Sequence, residues 1–380
     1  MTLRPARRMD GIERTLIRQI SDAAPPDAIN LGLGQPDLPT PPRIRLAGIR
    51  GIVEGKTAYT STAGDPMLRE AVARHYAGFV EGPDGVAITI GSQEAMFAAL
   101  LTLADPGDEV LHPDPGYPAY STMVRLVGAR PVPYPLRYER GFRMDPAEIE
   151  ARIGDRTRLV ILCNPSNPTG AVECPQDLER LARLLEERGV GWLSDEIYSA
   201  FVYDGPYTSI RRYAKQGGLV ISSVSKDLSM TGWRIGWVAG SASIVARIVA
   251  SHQYLVTCAS SVSQVAALAA MDPEGESERR AHLEIFRRRR GRMAEELSRI
   301  PRIRFHLPGG AFYFFVDVSA YGASLALSRR ILERRNVVTI PGIAFGDGGE
   351  GFLRLSYAAS EKDIVAGVRG MAAELAAAWA

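Results

Sequence analysis

Short apolar runs recur along the chain, and turn-forming or small polar residues follow most of them. The clearest runs are residues 86–90, 109–111, 158–162, 190–194 and 219–221. Runs of this length with such boundaries predict buried β-strands. Amphipathic stretches between them, such as residues 175–188, favour helices. The pattern therefore predicts an α/β fold.

Further elements follow from the same pattern. Residues 12–20 form a short amphipathic segment, a helix begins near Met67, and a longer one is predicted at residues 277–299. The last carries four consecutive arginines, Arg287 to Arg290, which we interpret as a solvated helix face rather than a nucleic-acid contact. An apolar strand is predicted at residues 312–317.

Composition narrows the function classes. A length of 380 residues with 46% hydrophobic and 23% charged residues is typical of a globular protein of about two domains. The net charge of +2 gives no reason to expect a nucleic-acid or membrane partner. No apolar run approaches membrane-spanning length, and the N-terminal region lacks the apolar core of a signal peptide. We therefore expect a cytoplasmic protein.

The cysteines agree with that compartment. Cys163, Cys174 and Cys258 are odd in number and widely separated, and they lack metal-ligand spacing. We expect no disulfide framework and no metal site. Cys163 ends an apolar run and is interpreted as a buried structural thiol.

One lysine stands at the end of the predicted strand at residues 219–221. Lys226 lies among serines, and Arg234 follows between Gly232 and Gly236. A lysine amine can form a Schiff base with an aldehyde, and a guanidinium with hydroxyl groups can bind a phosphate dianion. Taken alone, a lysine in a serine-rich loop is usually a solvated surface residue.

Residues 222–236 resemble the lysine signature of the class I/II aminotransferases, which are fold type I enzymes. The resemblance implies that Lys226 forms a Schiff base with pyridoxal 5'-phosphate while Ser223 and Arg234 bind its phosphate. It also implies a mostly parallel central sheet in a large domain at residues 41–284. Residues 1–40 and 285–380 would form a smaller α+β domain.

Two further motifs extend the resemblance. Residues 164–170 read Asn-Pro-Ser-Asn-Pro-Thr-Gly, where the amide of Asn167 can bond the phenolic O3' of the cofactor. Asp195 ends a predicted strand, where a buried carboxylate needs a cation such as the pyridinium nitrogen. Glu196 is the competing choice, and the family pattern favours Asp195. Tyr198 is implied as a second O3' ligand.

The strand-to-helix turn at residues 91–94 is a candidate phosphate site because helix N-termini attract anions. Ser92 and Gln93 are the implied contacts, although an ordinary helix cap at Ser92 would also explain the turn. In some aspartate-preferring members of the family the position of Gln93 holds a lysine, which argues against simple aspartate specificity. Tyr117 is implied to stack on the cofactor ring, and His112 is interpreted as structural.

The remaining implied roles concern the substrate and a second subunit. Gly34 would contact the substrate carboxylate, and Arg354 would bind that carboxylate with both guanidinium nitrogens. Asn167 is a further substrate contact. Tyr59 would reach the phosphate of the neighbouring subunit, so that a homodimer shares its active sites. The segment at residues 260–264 resembles one near the dimer interface.

The predicted activity is transfer of an amino group between an L-amino acid and a 2-oxo acid. The apolar surroundings of the motifs and Gln93 favour neutral or aromatic substrates, or a broad range. A C–S β-lyase, or another side-chain-modifying enzyme with the same cofactor, is the first alternative. The second is a non-enzymatic regulatory domain, which intact Lys226 and Arg354 disfavour.

Overall fold

The computed structural model describes residues 3–377 and contains one large sheet, two small sheets and the helices packed on them. The strands are β1 (Ile29–Asn30), β2 (Val86–Thr89), β3 (Glu109–Asp114), β4 (Arg130–Pro135), β5 (Thr157–Cys163), β6 (Gly191–Asp195), β7 (Gly218–Ser223), β8 (Gly236–Ala239), β9 (Tyr313–Asp317), β10 (Val337–Val338), β11 (Ile340–Pro341) and β12 (Phe352–Ser356). The helices are α1 (Leu16–Ala23), α2 (Pro42–Val53), α3 (Pro66–His75), α4 (Gly91–Leu103), α5 (Ala119–Leu126), α6 (Pro146–Glu150), α7 (Pro175–Arg188), α8 (Ala242–Val256), α9 (Ser261–Ala270), α10 (Pro273–Leu297), α11 (Ser324–Arg335) and α12 (Glu361–Ala377).

The large sheet has the strand order β2-β8-β7-β6-β5-β3-β4. Strands β4, β3, β5, β6 and β7 pair in parallel, whereas β8 is antiparallel to both of its neighbours. Such strands read as continuous apolar runs because helices bury both faces of a parallel sheet. The α/β fold with a mostly parallel central sheet is therefore confirmed.

A separate apolar core surrounds the antiparallel sheet β11-β12-β9, which α10, α11 and α12 help to bury. β1 pairs in parallel with β10, so the N-terminal part of the chain joins this smaller unit. The predicted domain limits at residues 40/41 and 284/285 stay a prediction. The second limit falls inside α10, which contacts both α9 and α12.

The sequence pattern located most elements to within a few residues. The long helix predicted at residues 277–299 is α10, where Asp272 caps the first turn by accepting a hydrogen bond from Gly275 N at 2.9 Å. The amphipathic segment at residues 12–20 forms α1 slightly later in the chain. Within residues 3–377, no helix combines the length and apolarity that crossing a bilayer requires.

The arginine run on α10 corrects one expectation. Arg289 and Arg290 are only 6% and 8% exposed, so the interpretation of the run as a solvated face is wrong for these two. Arg289 forms an ion pair with Asp37, and Arg290 forms one with Asp204. Buried arginines are stable only when anions meet them, and both partners come from distant parts of the sequence.

A buried carboxyl lies beneath the loop at residues 164–170. Glu173 is 8% exposed, and Met144 N donates to its two oxygens at 3.1 and 3.2 Å. Its own N–H donates to Asn164 Oδ1 at 3.1 Å. Within residues 3–377 no arginine, lysine or histidine forms an ion pair with Glu173, and burial raises the pKa of Glu173 to about 7.

We expect Glu173→Gln to stabilise the protein selectively at alkaline pH. The raised pKa means that the folded state prefers the neutral acid, so stability is lost as pH rises from about 4.5 to about 7. Glutamine stays neutral, and its advantage at pH 8 should reach about 3 kcal/mol at most. Thermal unfolding at pH 5 and pH 8 measures the difference.

Glu148→Gln is the matched control. Glu148 is a carboxylate whose pKa the hydrogen bonds from Arg137 and Arg152 lower, so its removal should bring no alkaline gain. If wild type and Glu173→Gln melt at the same temperature at pH 8, and their difference in melting temperature does not grow between pH 5 and pH 8, the raised pKa of Glu173 is contradicted.

Candidate active site

The carboxyl ends of β5, β6 and β7 lie side by side at one edge of the large sheet. Cys163 is in register with Asp195, and Asp195 is in register with Ile221. The loops that follow these strands carry Asn167, Tyr198 and Lys226, so the parallel arrangement brings residues from distant parts of the sequence together. In open α/β sheets this edge is where ligands bind.

Lys226 lies half-buried in the loop after β7. Its Nζ donates a hydrogen bond to Gly34 O at 2.8 Å. Desolvation is the largest cause that lowers the pKa of Lys226 to about 8, and the positive charges of Arg354 and Arg234 lower it further. Because its pKa is near 8, this amine is partly neutral in mildly alkaline solution and can act as a nucleophile or base.

Asp195 is an 8% exposed carboxylate at the end of β6. Its Oδ2 accepts a hydrogen bond from the Tyr120 hydroxyl at 2.7 Å, and its Oδ1 accepts from Ile197 N at 3.3 Å. Burial raises the pKa of Asp195, while these two hydrogen bonds oppose the rise. The group is oriented by its donors and would gain from a cationic partner.

The N-terminus of α4 faces Arg234. Gly91 opens the helix with φ at +75°, and a Cβ there would lie 2.6 Å from Arg234 Nη2. Arg234 itself adopts a left-handed backbone, with φ at +57°, and its Nη1 donates to Thr231 O at 3.0 Å. Ser223 Oγ, on the adjoining strand, accepts from Ser225 N at 3.1 Å. Helix amides, hydroxyls and a guanidinium together form a cradle for an anion.

Arg354 is 2% exposed on β12 and has no carboxylate partner within residues 3–377. Nη1 donates to Asn167 Oδ1 at 2.8 Å, and Nη2 donates to Gly32 O at 2.5 Å. Nε has no hydrogen-bond partner in the part of the chain that the structure describes. The guanidinium carbon lies 4.4 Å from the ring centroid of Tyr313 and 4.7 Å from that of Phe345. A buried cation with a free donor is suited to an incoming anion.

Tyr198 and Tyr313 join the two halves of the site. Their hydroxyl oxygens are 2.7 Å apart, and both rings are buried. Gly34 lies against this pair so closely that a Cβ would overlap the Tyr313 hydroxyl. Glycine is therefore required for the backbone of residue 34 to approach Lys226.

The other predicted residues take different positions. The Tyr117 hydroxyl donates to Gln93 Oε1 at 3.1 Å, so these two side chains form a neutral pair. Ser92 lies in the first turn of α4. Tyr59 is 86% exposed and makes no hydrogen bond within residues 3–377, so the structure does not bring it to this chain's own site.

Three residues of the site were not identified from the sequence. Tyr120 gives no local sign of its contact with Asp195, and Phe345 ends a short 3₁₀ helix (Gly342–Phe345) that the sequence pattern did not indicate. Tyr313 belonged to a run of aromatics interpreted only as a strand. Its position on the same face as Phe315, which is in register with Arg354, could have drawn attention to it. Within residues 3–377, no group of three His, Cys, Asp or Glu side chains could hold a metal ion.

Comparison with known proteins extends over almost the whole chain. Residues 26–368 match the family model described as aminotransferase class I and II. A probable aspartate/prephenate aminotransferase from Aquifex aeolicus is 38% identical, with 90% of each chain covered. A probable N-acetyl-LL-diaminopimelate aminotransferase from Bacillus subtilis is 39% identical, covering 92% of this chain and 90% of that protein. The aspartate aminotransferase of Thermus thermophilus with maleate superposes with a TM-score of 0.92 at 31% identity, covering 98% of this chain and all of that one.

We expect Gly34→Ala to destabilise the folded protein, because the new methyl group must displace Tyr313 or the backbone that faces Lys226. Overpacking of this kind costs about 1–3 kcal/mol. Gly232→Ala is the control, since a Cβ at Gly232 would meet nothing within 4 Å. Thermal unfolding of both variants measures the effect, and equal melting temperatures would show that the close approach at Gly34 is not required.

Proposed function

Because the chain belongs to the class I and II aminotransferases and moves amino groups between amino acids and 2-oxo acids, we propose that it uses pyridoxal 5'-phosphate attached to Lys226. When bound, this cofactor supplies an aldehyde that takes up the amino group and a conjugated ring that withdraws electrons from the substrate Cα. The observation that carries the assignment is a partly neutral lysine between an anion cradle and the buried Arg354, for which the described residues 3–377 provide no carboxylate partner.

The residues of the site fit the phosphate of this cofactor. Ser92 at the N-terminus of α4, Ser223 and Arg234 would bind the dianion, as the close approach of Arg234 to Gly91 supports. Gln93 would lie beside them. Tyr59 of the partner subunit would complete the set.

The remaining polar groups fit the ring. Asp195 would meet the pyridine nitrogen, where a cation relieves the cost of its burial. Asn167 and Tyr198 would bond O3', and Tyr117 would stack on the ring. The hydrogen bond from Tyr120 keeps the Asp195 carboxylate in one orientation.

Lys226 is the proton carrier in the proposed mechanism. With the cofactor bound, the neutral Nζ of Lys226 would be placed to take a proton from the substrate Cα and to return it during the transfer of the amino group. Its lowered pKa favours the neutral base that this step requires. Gly34 O, which accepts a hydrogen bond from Nζ, sets the direction of the amine.

Arg354 would bind the α-carboxylate of the substrate. Its free Nε and its planar fork suit a two-point contact with a carboxylate. Asn167 and Gly32 hold the guanidinium in place through Nη1 and Nη2. Gly34 and Asn167 would lie beside the bound substrate.

For the amino donor, we propose neutral or aromatic amino acids, or a broad range. The neutral pair of Gln93 and Tyr117 at the site supports this choice. The relatives named as a probable aspartate/prephenate aminotransferase and a probable N-acetyl-LL-diaminopimelate aminotransferase differ in the substrate named, which is consistent with a site that can be adapted.

We further propose a cytoplasmic homodimer. The face of α2 and the loop after it expose Leu46, Ile49, Val53 and Tyr59, with exposed fractions of 52% to 86%. Leu46, Ile49 and Val53 are spaced to share one face of α2, and an exposed apolar face favours burial against another chain. A second copy would cover it and would bring Tyr59 towards the partner's cradle. The free thiols of Cys163, Cys174 and Cys258 support a reducing compartment.

We expect Lys226→Ala to bind pyridoxal 5'-phosphate but to lose transamination by at least about 10³-fold, because both the covalent link and the proton carrier are gone. Cofactor-loaded protein is mixed with single amino acids, and loss of its visible absorbance band is followed together with the 2-oxo acid formed. Wild type should react with its donors, and so should the surface variant Lys215→Ala.

Near-wild-type turnover by Lys226→Ala would contradict the assignment of the lysine. Release of ammonia and pyruvate by wild type from a β-substituted amino acid, without transamination of any donor, would instead identify a β-lyase.

We expect Arg354→Lys to raise KM for the amino acid by about 10²-fold, because an ammonium cannot make the two-point contact of a buried guanidinium. Steady-state kinetics with the best donor measures the change. Arg304→Lys, which alters an arginine paired with Asp317 on the same small sheet, is the control. An unchanged KM in Arg354→Lys would reject the carboxylate role.

A further inference from the structure

Two backbone carbonyls of residues 30–37, here called the carbonyl segment, contact the two cations of the site. Gly32 O accepts from Arg354 Nη2 at 2.5 Å, and Gly34 O accepts from Lys226 Nζ at 2.8 Å. The course of this segment therefore determines how both functional side chains are oriented.

The first half of the segment is held by several hydrogen bonds. β1 pairs with β10, Leu31 N donates to Val338 O at 3.1 Å, and Ser356 N donates to Leu31 O at 2.7 Å. Asn30 Oδ1 accepts from the N–H groups of Gly32 and Leu33 at 3.0 and 2.9 Å. This half is tied to the smaller unit of the protein.

The second half has few such ties. Gln35 and Pro36 make no hydrogen bond within residues 3–377, and an open cavity of about 390 Å³ lies between residues 27–37 and 358–363. Although Pro36 is buried, hydrogen bonds therefore do not fix this part of the segment. Its next fixed point is Asp37, whose N–H donates to Ala358 O at 3.1 Å.

Asp37 is fixed by Arg289 of α10. Nη1 donates to Oδ1 at 2.6 Å and Nη2 donates to Oδ2 at 2.9 Å, a two-point contact between residues 252 positions apart. The Arg289 side chain is 7% exposed and lies 5.4 Å from the ring centroid of Phe286 on the same helix. A guanidinium held this way fixes both the position and the orientation of its carboxylate.

We propose that Arg289 is a positioning residue for transamination. Through Asp37 it holds the carbonyl segment so that Gly32 O and Gly34 O face Arg354 and Lys226. The proposal rests on the function assigned above, because its effect on catalysis passes through those two side chains. Among residues 3–377, loss of the ion pair leaves the second half of the segment with hydrogen bonds only at Gly34 O and at the Asp37 amide.

Arg290 provides a matched comparison within the same helix. It is the next residue in the sequence and is buried to a similar extent. It also makes a two-point contact with an aspartate, at 2.7 and 3.4 Å to Asp204, yet it does not touch the carbonyl segment. Arg290→Gln therefore removes a comparable ion pair without the proposed function.

The experiment compares wild type with Arg289→Gln, Arg289→Lys, Asp37→Asn, the double variant Arg289→Gln/Asp37→Asn, and Arg290→Gln. Hydrogen exchange of the amides in residues 30–37 is measured on the purified protein, and kcat and KM are measured with the best donor. Circular dichroism and thermal unfolding establish the folded fraction to which the kinetics are normalised.

We expect faster exchange of residues 30–37 in Arg289→Gln and Asp37→Asn, but not in Arg290→Gln. Displacements of about 1 Å at a reacting group can cost about 10²-fold, so kcat/KM should fall by about 10- to 100-fold, chiefly through KM. Arg289→Lys should recover part of the loss. The double variant should be no worse than either single variant, because both remove one interaction.

Exchange in residues 30–37 that is the same in Arg289→Gln and Arg290→Gln would overturn the proposal. The proposal would also be overturned if the losses of kcat/KM in Arg289→Gln and Asp37→Asn multiplied in the double variant. A wild-type protein that transaminates no donor would instead overturn the function assigned above. The exchange comparison would then still decide whether Arg289 fixes the segment.

Discussion

The site depends on an excess of positive charge in a partly desolvated cleft. Lys226, Arg234 and Arg354 are close enough for the two arginines to lower the pKa of the lysine, and Asp195 is the carboxylate that opposes them. Cations that share a desolvated space repel one another unless anions arrive. The function proposed above would bring two such anions, a phosphate and a substrate carboxylate, and the same electrostatics would favour the binding of both.

The large sheet brings the side chains of the site together without strained backbone in its own strands. Parallel strands end in register, so the loops after β5, β6 and β7 open at the same edge and each contributes a functional group. The smaller unit supplies the other half, since Arg354 lies on β12 and Gly32 and Gly34 approach from the N-terminal side. The tyrosine pair of residues 198 and 313 bridges the two.

Much of this could be predicted from sequence because the signals were local. A strand, a loop with an unusual lysine and an arginine between glycines are all visible within a few residues. The contact of Tyr120 with Asp195 spans 75 positions, and the sequence around Tyr120 carries no signal that predicts it. The arginine run misled for the same reason: a charged tetrad looks solvated until the fold brings Asp37, 252 positions away, against Arg289.

The pairing of Gly32 with Arg354 also constrains the order in which the protein can mature. These residues are 322 positions apart, and the loop that carries Lys226 also precedes Arg354 in the chain, so the ribosome makes β7 and that loop before it makes the arginine. Domains tend to fold as units during synthesis, and contacts of such long range form last. A nascent or prematurely terminated chain could thus hold its reactive lysine but not the group assigned to the substrate carboxylate. Competence for the complete reaction is acquired only when β12 docks beside residues that were synthesised first.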